Sequence, residues 1–188
     1  MNKERIATVI ELAVRINISL KLMIYGIGKI FNGQFYIKGK LPSEVASITL
    51  DQVDGYTLAW TFFGYSKGYI LFIGLFQLLG ALLFLYNRSK IVGAFILLPI
   101  LLNIIVVDYF FGVAYGALFS AIFYVLGICW VLYRQRERWV PMMGRLLVYR
   151  KKTDKWAFTL LLALAVFGII FYLEYLGIQF FGYEDRKV

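Results

Sequence analysis

The sequence predicts an all-α fold, a polytopic transmembrane helix bundle with five spans, and three observations carry that expectation. The 188 residues are 61% hydrophobic with a mean hydropathy of +0.74, whereas a soluble domain is roughly half apolar. The apolar residues fall in long blocks rather than being scattered along the chain, which is the membrane pattern. Lys and Arg gather in alternate connecting segments, as they do in short cytoplasmic loops. At this length a single transmembrane domain over residues 1–188 is the natural expectation.

The first span is read over residues 5–31. Its 27 residues would reach ~40 Å as a helix, enough to cross with both ends projecting. The run carries Glu11 and Arg15 and no small-residue cleavage site follows it, so it does not read as a cleavable signal. Asn32-Gly33 is a turn signal. The outer loop 32–68 holds Lys38, Lys40, Glu44, Asp51 and Asp54, close to charge balance. Its second half, from Leu50 to Tyr65, gathers Tyr56, Trp60, Phe62, Phe63 and Tyr65 and suits a short helix at a membrane interface.

The second span is read over 69–86 and the third over 91–110, joined by the basic turn Asn87-Arg88-Ser89-Lys90. A turn at Gly112 leads to the fourth span, 114–133. The connector 134–155 holds Arg134, Arg136, Arg138, Arg145, Arg150, Lys151, Lys152 and Lys155. Pro141 argues against one uninterrupted helix through it. The fifth span is read over 156–178, followed by a short polar tail. With five spans, the basic segments near Lys3 and Arg5, at Arg88 and Lys90, and at 134–155 fall on one side. The expectation is therefore a multi-pass membrane protein with a cytoplasmic N-terminus and an exoplasmic C-terminus.

Composition narrows the chemistry. Histidine is absent, which removes the commonest general base and the usual zinc and haem ligand. Cys129 is the single cysteine, so neither an intramolecular disulfide nor a C-x-x-C pair can form. The net charge of +9 sits mostly in one connector and reads as topology rather than a nucleic-acid surface.

Charged and polar groups inside apolar spans call for an explanation, because each is costly at membrane depth. Glu11 and Arg15, one turn apart, share a face of the first helix. They read as a polar intramembrane pair, either self-neutralising against a neighbouring helix or linked to a proton or ligand. Lys29 returns to the face of Glu11 and is expected to snorkel towards the headgroups. Lys21, Gln77 and Asn103 come to a similar depth, ~12 Å from the outer surface, with Asp108 above Asn103. These four are the candidate ligand-binding residues, set against ordinary interhelical hydrogen bonding. Pro99, one turn below Asn103, frees the carbonyl of Phe95 and would help open a cavity. Gly26, Gly28, Gly74, Gly80-Ala81, Gly93-Ala94 and the ridge Gly116, Ala117, Ser120, Ala121 read as packing surfaces. No residue set reads as catalytic or as a metal site.

Tyr25-Gly-Ile-Gly-Lys29, Phe72-Ile-Gly-Leu-Phe-Gln-Leu-Leu-Gly-Ala-Leu-Leu-Phe84, the turn Asn87-Arg-Ser-Lys90 and Val92-Gly-Ala-Phe95 together resemble the DoxX-like family of small bacterial membrane proteins. The resemblance covers about residues 15–133. It implies a four-helix transmembrane core, to which the long first loop and the fifth C-terminal helix are additions. Some members are associated with quinone-linked thiosulfate oxidation, others with membrane oxidoreductase complexes. It supplies no catalytic motif.

The function expected is that of an accessory or ligand-binding subunit of a membrane complex, without autonomous catalysis. It would hold a quinone- or lipid-like molecule, with membrane lipid, a membrane protein or a second copy as partner, and no nucleic acid. The alternatives are a small transporter or channel, favoured by a continuous polar stripe through the bundle, and a membrane enzyme acting on a lipid or quinone. The enzyme would need an acid–base pair such as Asp108 with Lys21 or Lys29.

Overall fold

The computed structural model of the chain describes residues 3–147 and 156–181. Among these residues the structure is all-helical, with no strand. The elements are α1 (Lys3–Ile30), α2 (Ser43–Ala46), α3 (Gly55–Gly64), α4 (Lys67–Leu85), α5 (Lys90–Phe110), α6 (Tyr115–Arg134), α7 (Arg136–Leu147) and α8 (Trp156–Phe181). The chain forms two compact units, Met1–Met142 and Met143–Val188. Three helices of the first unit, α4, α5 and α6, are long and apolar enough to cross a membrane. In the second, Leu160–Leu176 is an apolar helical stretch, and Glu174 is the one charged residue of α8.

The first unit is a four-helix arrangement. α1 packs along α4, α4 along α5 and α5 along α6, and α6 closes more lightly against α1. Its centre is largely apolar, built from Ile18, Leu22, Phe84, Leu97, Leu101, Ile128 and Val131. Between apolar helices in lipid, close van der Waals contact replaces the hydrophobic drive, and glycines provide it where backbones approach. A Cβ on Gly93 would overlap the backbone of Phe84, and one on Gly26 would stand 3.2 Å from the Gly74 carbonyl. Those positions pack as the sequence implied. Gly28 and Gly116 do not, because a Cβ at either meets nothing within 4 Å.

Helix ends are set by local signals. Asn32 adopts φ 61°, its N–H donates to Lys29 O and that of Gly33 donates to Gly28 O, the paired bonds of a Schellman cap. Gly112, at φ 65°, does the same for α5, with Val113 N–H donating to Asp108 O at 3.0 Å. The aromatic part of the outer loop does form a helix, α3. It docks through its two end glycines, Gly55 against the backbone of Phe111 and Gly64 against that of Tyr36. It thus roofs the end of the bundle where α1 and α5 stop.

The connector is not one uninterrupted helix, since Gln135 separates α6 from α7, but the break does not fall at Pro141. Helix α7 runs from Arg136 to Leu147 with Pro141 inside it, so proline does not stop it. Trp139 anchors the start of α7, its Nε1–H donating to Leu132 O at 2.9 Å and its ring meeting Phe95 edge-on. The expected basic residues Arg150, Lys151, Lys152 and Lys155, and the polar tail after Phe181, lie outside the described residues.

Candidate ligand cavity and its opposite pole

Helix α1 buries the charged pair Glu11 and Arg15 towards one end and Lys29 towards the other. Glu11 and Lys29 are 18 residues apart, which is five helical turns and ~27 Å, so both face the bundle. Glu11 is 4% exposed. Its Oε1 accepts from Lys90 Nζ at 2.6 Å, and its Oε2 accepts from Arg134 Nε at 3.0 Å and Gln135 Nε2 at 3.3 Å. Arg15, one turn on, lies 3.8 Å from Glu11. It also donates to the carbonyls of Phe84 and Leu85 and, at 3.2 Å, to Asn87 Oδ1. The pair read from the sequence is therefore half of a cluster that joins α1, α4, α5 and α6. No local pattern marks Lys90 and Arg134 as part of it, because the turn and the helix end that hold them read as topology charges.

At the other pole lies a cavity of about 860 Å³, walled by α1, α4, α5 and α6 and reached by Phe35 and by Trp60 and Phe63 of α3. Its walls are mostly apolar. Lys29, 6% exposed, donates from Nζ to Gln77 Oε1 at 3.0 Å. Gln77, itself 1% exposed, donates from Nε2 to Leu22 O at 2.9 Å. Gln77 is thereby held by both ends of its amide and presents Lys29 to the cavity. Phe35 packs above, with Lys29 Nζ 5.9 Å from its ring centre. Its own position is fixed by Trp60 and Phe63, at 5.7 and 5.4 Å between ring centres.

Asp108 is also buried on the cavity wall, and its Oδ2 has no hydrogen-bond partner. Lys29 feels its charge without pairing with it directly. Gln34, on the same wall, buries an unpartnered Oε1. A third such atom, Ser19 Oγ, lies in the packed centre away from the cavity. Asp108 stands in the last turn of α5, the negative end of the helix dipole, where a carboxylate is disfavoured.

The four candidate ligand residues therefore divide. Gln77 and Asp108 are buried on the cavity wall, and Asn103 lines it while remaining exposed. Lys21 is exposed and does not line the cavity. It sits about 100° around the helix from the buried Leu22. Lys29, expected to snorkel towards the headgroups, is instead the buried lysine of the cavity wall. Pro99 lines the cavity too. The small ridge of α6 serves it in part: Ala117, Ser120 and Ala121 line the space instead of bringing a helix close. Among the described residues no cluster of His, Cys, Asp or Glu could hold a metal ion.

One curated relative is the uncharacterized protein YwoB of Bacillus subtilis (strain 168), 38% identical over 99 residues, which are 53% of this chain and 60% of YwoB. The chain thus spans less than two thirds of that relative's length. No protein-family model matches the chain. No solved structure matches it either.

Proposed function

We propose that the chain is a bacterial inner-membrane protein of five spans whose cavity holds an apolar-tailed molecule with a hydrogen-donating polar head. Three apolar helices support the membrane reading. Along α1, Glu11 and Lys29 stand ~27 Å apart, close to the ~30 Å of a hydrocarbon core, so each would sit near an interface. On this reading the Glu11 end is cytoplasmic, the cavity opens towards the outer half, α8 is the fifth span and the C-terminus is exoplasmic. The protein acts as an accessory or ligand-binding subunit of a membrane complex, and membership of the DoxX-like family is part of the same proposal.

The observation that carries the ligand reading is the bare Oδ2 of Asp108. A buried acceptor without a partner costs ~1–3 kcal/mol, and one on the wall of an apolar cavity is offered to whatever enters. Gln34 Oε1 adds a second acceptor, and Lys29 keeps N–H donors beyond the one given to Gln77. Such a set suits a lipid-like alcohol or the hydroxyl form of a quinone, with the tail against the aliphatic and aromatic walls. The transporter reading is weaker: Ile18, Phe84, Leu97 and Ile128, all fully buried, separate the two polar poles with packed apolar side chains.

Native mass spectrometry of the gently solubilised full chain tests the proposal. A stoichiometric quinol- or lipid-like adduct is expected on the wild type, and Ala117→Leu, which fills the cavity from α6, should reduce its occupancy by roughly tenfold, in keeping with a lost 1.4 kcal/mol. An adduct-free wild type, or an Ala117→Leu protein that retains the molecule in full, would overturn it.

A further inference from the structure

A second space lies where α1 ends and α4 begins, separate from the cavity but sharing Phe35 as a wall. It is a cleft of about 760 Å³ that takes in Lys38, Lys40 and Lys67 and, among the described residues, no acidic side chain. Loop 32–68 is close to charge balance in sequence, yet Glu44, Asp51 and Asp54 do not line the cleft. Folding has sorted the two signs.

The cleft is built from fixed parts. Tyr36 N–H donates to Trp60 O at 3.3 Å and Lys38 N–H to Gly64 O at 3.4 Å, which straps the loop to α3 at the point where Gly64 lacks a side chain. The Lys38 ammonium donates to Tyr65 Oη at 2.9 Å and stands 4.2 Å from the centre of that ring. Asn32, held in its left-handed conformation by the α1 cap, lines the floor. Lys40 and Lys67, both exposed, line this space beside Lys38 and raise its positive potential. Lysine presents a point charge with three rotatable donors, which suits an anion with several equivalent oxygens, and the cleft contains no arginine fork of the kind that selects a planar carboxylate.

We infer that this cleft binds a phosphate-type anionic group. The group can arrive as a lipid headgroup at the end of the bundle or as a soluble phosphate, and the inference does not depend on what fills the cavity.

The test uses the full chain in phosphatidylcholine nanodiscs, with two probes. One is quenching of tryptophan fluorescence by spin-labelled phosphatidic acid, against equally labelled phosphatidylcholine. The other is calorimetric titration with inorganic pyrophosphate. The variant is Lys40→Gln with Lys67→Gln; it spares Lys38, which holds Tyr65, and alters two exposed side chains. A preference for phosphatidic acid identifies a lipid source, and heat with pyrophosphate identifies a soluble one. Either signal should fall by roughly tenfold in the variant, as expected for two lysines facing an anionic headgroup, and should persist with arginine at both positions. A wild type that responds to neither probe, or a glutamine variant that binds like the wild type, would overturn the inference. Asp108→Leu should leave both signals unchanged, so failure of the cavity reading and failure of this one can be told apart.

Discussion

The two poles of the bundle each bury a carboxylate and treat it oppositely. Glu11 receives donors from Lys90, Arg134 and Gln135, with Arg15 beside it. Asp108 leaves Oδ2 without any. Equal burial therefore does not imply an equal role. A saturated carboxylate surrounded by three cations fastens four helices together, whereas a bare one beside an open space is held ready for something else. The apolar packing between them separates the two tasks, so each can be altered without the other.

The largest effect should come from breaking the saturated pole. Glu11→Ala leaves Arg15, Lys90 and Arg134 close together without their shared counter-charge. Removing one partner of a buried ion pair typically costs ~3–5 kcal/mol. Thermal unfolding in detergent, followed by tryptophan fluorescence, should show a large fall in Tm or no folded protein. A Glu11→Ala chain that melts like the wild type would mean that the cluster is incidental and the contrast between the poles empty.

Next in size is a contrast between two glycines. Gly93→Ala drives a Cβ into the backbone of Phe84, which can yield only if α4 and α5 move apart, a change of the overpacking kind that costs ~1–3 kcal/mol. Gly28→Ala adds the same methyl group on the cavity side, where nothing lies within 4 Å, and should change stability by no more than about 0.5 kcal/mol. The same unfolding assay checks both. Equal losses would mean that the Lys29 end is as tightly packed as the rest.

These contrasts also show what the sequence could disclose. The long apolar runs made the helices legible, and the observed elements fall close to the five expected segments because the turn signals at Asn32-Gly33, Asn87–Lys90 and Gly112 lie between them. The Glu11–Arg15 pair was legible because it is local, one turn on one helix. Lys90 and Arg134 were not, since they meet Glu11 only through tertiary packing across 79 and 123 residues of chain. In the cavity, depth along the axis was read without rotation about it. Asn103 and Asp108 are five residues, about 140°, apart around α5, so the two could not both face the core, and Lys29 rather than Lys21 carries forward the buried stripe of Glu11, Arg15, Ile18, Leu22 and Gly26. The lysine cleft escaped notice because a charge count over a loop cannot tell which side of the fold each sign will occupy.

The smallest expected change in stability has the opposite sign to the first. Asp108→Leu removes a buried acceptor that bonds to nothing and a carboxylate at the unfavourable end of a helix, and it substitutes a side chain matched to the apolar wall. Replacing an unsatisfied polar group in this way is neutral or stabilising, so the unfolding transition should stay in place or move up by the equivalent of about 1 kcal/mol. Lys29 keeps its bond to Gln77 but loses the nearby charge of Asp108, which limits the gain. Occupancy of the cavity, read by native mass spectrometry, should nevertheless fall sharply, since the head of the bound molecule loses its acceptor. A variant that gains stability while losing its ligand would mark Asp108 as a residue retained for binding at a cost to the fold. If Asp108→Leu instead loses several kcal/mol, the carboxylate is fastening helices as Glu11 does, and the asymmetry between the poles disappears.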